Sequence, residues 1–235
     1  MSSHNTSDNR QKGFRLHLIF CFSIIILLSA KISYPLTLDE VVDKVQERYE
    51  KTRNFQADFT QTSILKTVKH RQVSKGRVFI RKPGMMRWEY REPEGQLIVS
   101  DGKVIWFYIP ADKQVMMSSA GRDKDSHAHT IFLSGSGKLR DTFQIDYESD
   151  GAIDKDSDGK KRYIYLKLIP NKPQPNLTRL ILGINKEDFK IEMSSVFDIY
   201  GNQTMVSFSN IEIKKDISEN LFHFEIPDGI RVITQ

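Results

Sequence analysis

Residues 81–110 read Arg-Lys-Pro-Gly-Met-Met-Arg-Trp-Glu-Tyr-Arg-Glu-Pro-Glu-Gly-Gln-Leu-Ile-Val-Ser-Asp-Gly-Lys-Val-Ile-Trp-Phe-Tyr-Ile-Pro. This stretch holds three strand-like runs separated by proline and glycine. From Met86 every second residue is large and apolar (Met86, Trp88, Tyr90), with Arg87, Glu89 and Arg91 between them. That is the period of a half-buried antiparallel strand. Leu97–Ser100 and Val104–Ile109 then flank Asp101-Gly102, a dipeptide that tolerates the positive φ angles of a tight hairpin. Val104–Ile109 is apolar at consecutive positions, so both faces of that strand need cover.

Outward from this block the same period recurs. Phe55, Ala57 and Phe59 share one face of a strand, and another runs from about Gly76 to Lys82, stopped by Pro83-Gly84. Downstream come candidates at Lys113–Met117, Phe143–Tyr147, Tyr163–Ile169, Leu177–Ile184, Ile191–Ile199 and Met205–Ile213, with Gly201-Asn202 marking the last turn. Leu221–Ile226 alternates Phe222, Phe224 and Ile226 before Pro227 and reads as a closing strand. Between Ala120 and Leu139 the pattern is lost except for Ile131-Phe132-Leu133, which predicts one or two short helices on a connection.

One well-marked helix precedes the strands. Thr37 and Glu40 have capping-box spacing and Leu36 with Val41 has staple spacing. Leu38, Val41, Val42, Val45 and Tyr49 then fall on one helical face. One helix followed by about a dozen short strands, without βαβ alternation, predicts a mainly β chain with some α: an antiparallel sheet, curved or barrel-like, with helices against it. A long run of sequential strands tends to curl, and the helix stripe and Ile131–Leu133 are available to cover the concave side.

The first thirty-odd residues stand apart. Arg10, Lys12 and Arg15 precede an apolar run from Leu16 to Ala30, about 15 residues, shorter than the ~20 of a membrane span. Residues 1–33 therefore read as a secretory signal cut roughly between 30 and 33, leaving 34–235 as a single domain. The lone Cys21 lies in that run, and Phe20 is too bulky for a lipidation site there. Removing residues 1–33 takes four basic and one acidic residue, leaving 31 basic against 29 acidic, a net charge of +2 instead of +5. A nucleic-acid partner is discounted on that balance. A mature chain without cysteine has no disulfide, thiol nucleophile or thiolate metal site.

Motifs for chemistry are sparse. Asp154-Lys155-Asp156-Ser157-Asp158-Gly159 starts like a calcium loop, but position twelve is Tyr165 instead of glutamate. His127 and His129 have no third metal ligand nearby in sequence. No G-x-S-x-G elbow occurs, and Gly135-Ser136-Gly137 does not complete a phosphate loop. No catalytic residue, cofactor or metal is expected. The chain reads as a binder, and Met86, Trp88, Tyr90, Trp106 and Tyr108 read either as an ordinary sheet core or as a pocket for flexible acyl chains, which methionine with aromatics suits.

Phe55-x-Ala57-x-Phe59-x-Gln61, Lys82-Pro83-x-x-x-Arg87-Trp88-x-Tyr90-x-x-Pro93 and Ile98-Val99-Ser100-Asp101-Gly102-x-x-x-Trp106-x-Tyr108 appear in that order. Asp198-x-x-Gly201-Asn202-x-Thr204 and Leu221-Phe222-x-Phe224-x-x-Pro227-x-Gly229 follow. Together these motifs resemble the outer-membrane lipoprotein carrier proteins, the LolA family, over about residues 37–233. The resemblance implies an incomplete, half-open antiparallel β-barrel whose concave apolar face is covered by the N-terminal helix and short lid helices. It implies a soluble periplasmic chaperone that takes the acyl chains of lipoproteins from an inner-membrane ABC transporter to an outer-membrane receptor, and the signal-like start, cysteine-free mature chain and near-balanced charge predict a monomer. The acyl cavity is then expected to use Tyr49, Met86, Trp88, Tyr90, Ile98, Trp106 and Tyr108. The lid is expected to use Lys82, Ile131, Phe132 and Leu133. Lys82 stands where the family usually carries a lid-locking arginine, and Met86 where well-studied members carry an aromatic. The outer-membrane receptor of the same fold and a membrane-anchored lipid-sensing domain are the alternatives. A charge at Met86 is expected to block handover while leaving the domain folded.

Overall fold

A computed structural model describes residues 36–92, 95–120, 138–148, 163–174 and 176–234. The expected signal at 1–33, the lid residues Ile131, Phe132 and Leu133, the histidines at 127 and 129, and the 154–159 loop lie outside the described residues.

Helix α1 spans Leu38–Lys51, as its cap and stripe predict. The Thr37 hydroxyl accepts from the Glu40 amide at 3.3 Å, and the Glu40 carboxylate accepts from the Thr37 amide at 2.8 Å. The helix start thus has its amides satisfied on both sides of the box. Among the described residues twelve strands follow: β1 (Asn54–Leu65), β2 (His70–Arg81), β3 (Met85–Glu92), β4 (Leu97–Asp101), β5 (Val104–Ile109) and β6 (Gln114–Ser119). After a short helix α2 (Leu139–Thr142) come β7 (Phe143–Tyr147), β8 (Tyr163–Pro170), β9 (Arg179–Asn185), β10 (Ile191–Phe197), β11 (Gln203–Ile213) and β12 (Arg231–Thr234).

All twelve form one sheet in the order β12-β6-β5-β4-β3-β2-β1-β11-β10-β9-β8-β7. It comprises two antiparallel meanders, β1–β6 and β7–β11, joined where β1 pairs with β11. Among the described residues the end strands β12 and β7 do not pair, so the sheet stays open. The half-open, mainly β architecture expected from the sequence is the one found.

Two apolar clusters divide the sheet's covered face. In the first, Val41, Val42 and Val45 of α1 pack on Leu166, Leu180, Leu182 and their neighbours from β8 and β9. The second lies on β1–β5 and β11, around Phe59, Val78, Trp88 and Phe208. Gly76 is needed there: a Cβ at that position would come within 2.8 Å of the Phe59 ring and 1.9 Å of the Glu89 carbonyl. Only a residue without a side chain lets the ring cross β2.

The other face carries the C-terminal segment. The Arg81 guanidinium donates to the Ile217 carbonyl at 2.5 Å and to the Glu219 carboxylate at 2.9 Å. Arg87 donates to the Leu221 carbonyl at 3.3 Å. Phe222 is fully buried, and the chain then returns to pair as β12, parallel to β6. Leu221–Ile226 is therefore a strap, with a 3-10 turn at Glu219–Phe222, and not the expected strand. Its alternation reflects side chains packed on a sheet, while its backbone joins no ladder.

Candidate functional site

Antiparallel register decides which predicted site residues can meet, because directly opposed residues share a face. Trp88 pairs with Val78 on β2 and with Ile98 on β4, and Ile98 pairs in turn with Phe107 on β5. Met86 pairs with Ile80, and Tyr90 with Gly76. Met86, Trp88, Tyr90 and Ile98 thus converge in the second cluster, at 5%, 1%, 8% and 5% exposure. The Phe59 ring stands edge-on to Trp88 at 4.9 Å and to Tyr90 at 5.0 Å, and Phe208 approaches Trp88 at 6.1 Å. Tyr90 donates its hydroxyl to the Gln61 side-chain carbonyl at 3.0 Å. Burial pushes that phenol up to about 12, against the lowering effect of the Gln61 bond, so it is a neutral donor at physiological pH.

Trp106 and Tyr108 are placed elsewhere. Trp106 pairs with Val99, which pairs with Arg87, so both aromatics stand on the face opposite Trp88. There they meet the strap: Phe224 lies 6.2 Å from Trp106 and 5.6 Å from Tyr108. The expectation that all five aromatic and methionine side chains line one cavity is corrected by this register. Both faces of β5 are covered, as its consecutive apolar residues require, and Phe224 supplies part of the outer cover.

Tyr49 sits in the last turn of α1, packed against the first cluster. With Phe55, Phe189, Ile191 and Phe208 it lines an apolar cavity of about 70 Å³ that also touches Arg48, Lys82 and Lys190. Phe208 links this cavity to Trp88, so the helix end and the second cluster are contiguous through one ring.

Lys82 closes one side. Its Nζ donates to the Tyr49 carbonyl at 2.7 Å and lies 3.2 Å from the centroid of the Tyr49 ring. The ammonium so placed caps a helix C-terminus, where the dipole favours a cation. Burial nevertheless lowers its pKa to about 8, with Glu50 opposing. Its described contacts run to α1; a contact with the 131–133 segment lies outside the described residues.

Sequence reading missed Phe59, Phe208, Phe189 and Ile191 as site residues. Phe59 carried a signal, since it repeats with Phe55 at period two. Phe208 carried none, because only the long-range pairing of β1 with β11 brings it to Trp88. Among the described residues no cluster of three or more His, Cys, Asp or Glu could hold a metal.

An open antiparallel sheet with one helix across an apolar face, and a small cavity where the two meet, is a scaffold of the apolar-ligand-binding class. Within that class the assignment is specific: the chain belongs to the family described as outer membrane lipoprotein carrier protein LolA, which matches residues 50–225. It is 30% identical over 183 residues to an outer-membrane lipoprotein carrier protein of Methylococcus capsulatus, covering 78% of this chain and 82% of that protein. A second protein of that description, from Dechloromonas aromatica, is 28% identical over 213 residues, covering 91% and 93%. Among solved structures, an uncharacterized conserved protein from Thermus thermophilus matches with a TM-score of 0.49 at 15% identity, over 84% of this chain and 98% of that one. A LolA superfamily protein from Nitrosomonas europaea matches at 0.42 and 11% identity, over 81% and 99%.

Proposed function

We propose that this chain is a periplasmic lipoprotein carrier, which accepts lipoprotein acyl chains at an inner-membrane transporter and releases them to an outer-membrane receptor. In this reading it works as a monomer without cofactor and makes or breaks no covalent bond. The observation that carries the reading is the contiguous apolar surface running from the Tyr49 cavity through Phe208 to Trp88, Met86, Tyr90 and Ile98. Lys82 is the residue that holds the end of α1 at its mouth. Trp106 and Tyr108 are left out of the binding surface, because they serve the strap.

The cavity of about 70 Å³ is well below the 300–1,000 Å³ of ordinary ligand pockets. An acyl chain would therefore enter by replacing side-chain contacts, each buried methylene contributing about 0.8 kcal/mol against water. The test is photo-crosslinking with benzophenone side chains placed one at a time at Phe208 and at Trp106. Incubation with a triacylated lipoprotein should give an adduct from position 208 and none from 106. Adducts from 106 alone, or from neither position, would refute the assignment.

A further inference from the structure

The far end of β1 carries a surface unrelated to that site. The β1–β2 turn (residues 66–69) and the β10–β11 turn (residues 198–202) lie side by side, because Ile64 pairs with Gln203 and Ser63 with Thr204. They are locked together. The Lys66 amide donates to the Asn202 side-chain carbonyl at 3.0 Å, and a Cβ on Gly201 would come within 3.1 Å of the Lys66 stem. Asp198 is spent inside its own turn, one carboxylate oxygen accepting from the Tyr200 and Asn202 amides at 2.8 and 2.9 Å and the other from the Asn202 side chain at 2.8 Å.

This rigid tip presents apolar side chains to water: Tyr200 is 71% exposed, Val68 67% and Ile199 57%, with Leu65 and Val73 beside them. Between Thr60 and Gly76 there is no acidic residue, whereas Lys66, Lys69, His70 and Arg71 surround the turn. Lys66, Lys69 and Arg71 form no ion pair among the described residues, and all three are exposed. Twelve strand residues separate this tip from the Lys82 end of the sheet, roughly 40 Å at about 3.3 Å per residue.

We propose that the paired tips of the β1–β2 and β10–β11 turns form a docking foot for an anionic lipid bilayer. Apolar and aromatic side chains ringed by cations are the composition that partitions into a headgroup layer, the apolar groups entering and the cations meeting lipid phosphates. Shape favours a bilayer over a protein partner. Val68 and Tyr200 crown convex turns, whereas protein interfaces concentrate their affinity in fitted, desolvated pockets. The turn amides of Tyr200 and Asn202 are already bonded to Asp198, so immersion strands neither of them. The foot does not depend on the carrier reading and stands or falls separately.

The test uses the full chain with Cys21→Ser and Thr67→Cys, labelled at the new thiol with an environment-sensitive NBD fluorophore. The same label at Lys103→Cys, at the Lys82 end of the sheet, is the control. Because the signal is local, it reports the tip whatever the apolar segment at 16–30 does. Phosphatidylglycerol–phosphatidylethanolamine vesicles should shift the label at 67 to the blue and leave the label at 103 unmoved, and phosphatidylcholine vesicles should shift neither. Lys66→Gln, Lys69→Gln and Arg71→Gln should each weaken the vesicle titration about fivefold, the effect of one cation near an anionic surface. Val68→Ser with Tyr200→Ser should remove the shift without moving the thermal melt. The inference is overturned if the label at 67 ignores anionic vesicles, if position 103 responds equally, or if the glutamine variants titrate like the parent. A shift produced by vesicle-free periplasmic extract and not by anionic vesicles would assign the tip to a protein, and overturns it as well.

Discussion

Trp88→Ala is the substitution that most directly weighs the packed inner face. Trp88 is 1% exposed, edge-on to Phe59 at 4.9 Å, and flanked across the ladder by Val78 and Ile98. A buried tryptophan removes some 150–250 Å² from water, about 4–6 kcal/mol at ~25 cal/mol/Å². Alanine keeps a part of that, and measured Trp→Ala costs in cores are about 3–5 kcal/mol. In a unit of about 200 residues each kcal/mol moves the midpoint by about 2–4 °C, so the variant should melt roughly 6–20 °C below the parent. Trp106→Ala is the internal comparison: half-buried under Phe224 on the outer face, it should cost less than half as much. Thermal melts followed by far-ultraviolet circular dichroism give both numbers, and iodide quenching of the single-tryptophan proteins should reach Trp106 and spare Trp88. A Trp88→Ala protein melting within about 3 °C of the parent, or no lower than Trp106→Ala, would show that the inner face is not packed on this ring.

Met86→Glu should destabilise by several kcal/mol, since the side chain is 5% exposed among apolar neighbours and the carboxylate would be buried unpaired; a chemical melt unchanged from the parent would contradict this, while Met86→Leu should cost under about 1.5 kcal/mol. The sequence-level expectation that a charge at Met86 leaves the domain intact is thereby reversed. Lys82 predicts a pH effect of definite sign. Its pKa is lowered to about 8 in the fold against 10.5 ordinarily, so between those values the unfolded chain holds a proton that the folded chain lacks. Its contribution is therefore full above 10.5 and falls away as pH drops through 8, and the parent should gain stability relative to Lys82→Met as pH rises from 8 to about 10. Denaturant midpoints for the pair across that range check it, and parallel profiles would refute it.

What the sequence disclosed and what it concealed divide by range. The α1 boundaries were legible because the Thr37–Glu40 box and the valine stripe are local. So were β4 and β5, since Asp101-Gly102 fixes a turn whatever lies beyond it; the Asp101 carboxylate accepts from the amides of Lys103 and Val104 at 2.7 and 2.8 Å. Strand β12 was hidden: four residues after Gly229, paired in parallel with a strand over a hundred positions earlier, leave no periodic trace. The placement of Trp106 was a different kind of error. Alternation fixes which residues of one strand share a face, but not how faces match across a hairpin. The β4–β5 connection holds an even number of residues, since Ser100 pairs with Ile105, so even-numbered residues of β4 face odd-numbered ones of β5. That parity was present in the Asp-Gly turn and could have placed Phe107, not Trp106, beside Trp88.

The division of one sheet face into two clusters bears on how a carrier could both hold and release its cargo. In the first cluster three valines of α1 are almost fully buried against leucines of β8 and β9. The second offers aromatic rings and a methionine packed on one another and on aliphatic side chains of β1, β2, β4, β5 and β11. A fatty acyl chain of about sixteen carbons is worth roughly 12 kcal/mol on leaving water, at ~0.8 kcal/mol per methylene. Inserted into a packed cluster, it forfeits the contacts of the side chains it displaces, about 3–5 kcal/mol for each large one. Displacing two or three rings consumes most of the gain and leaves binding shallow enough to reverse. A preformed acyl-sized cavity would retain nearly the whole transfer free energy and hold its ligand too tightly to hand on. Under the carrier reading, the close packing around Trp88 is thus the feature that permits release.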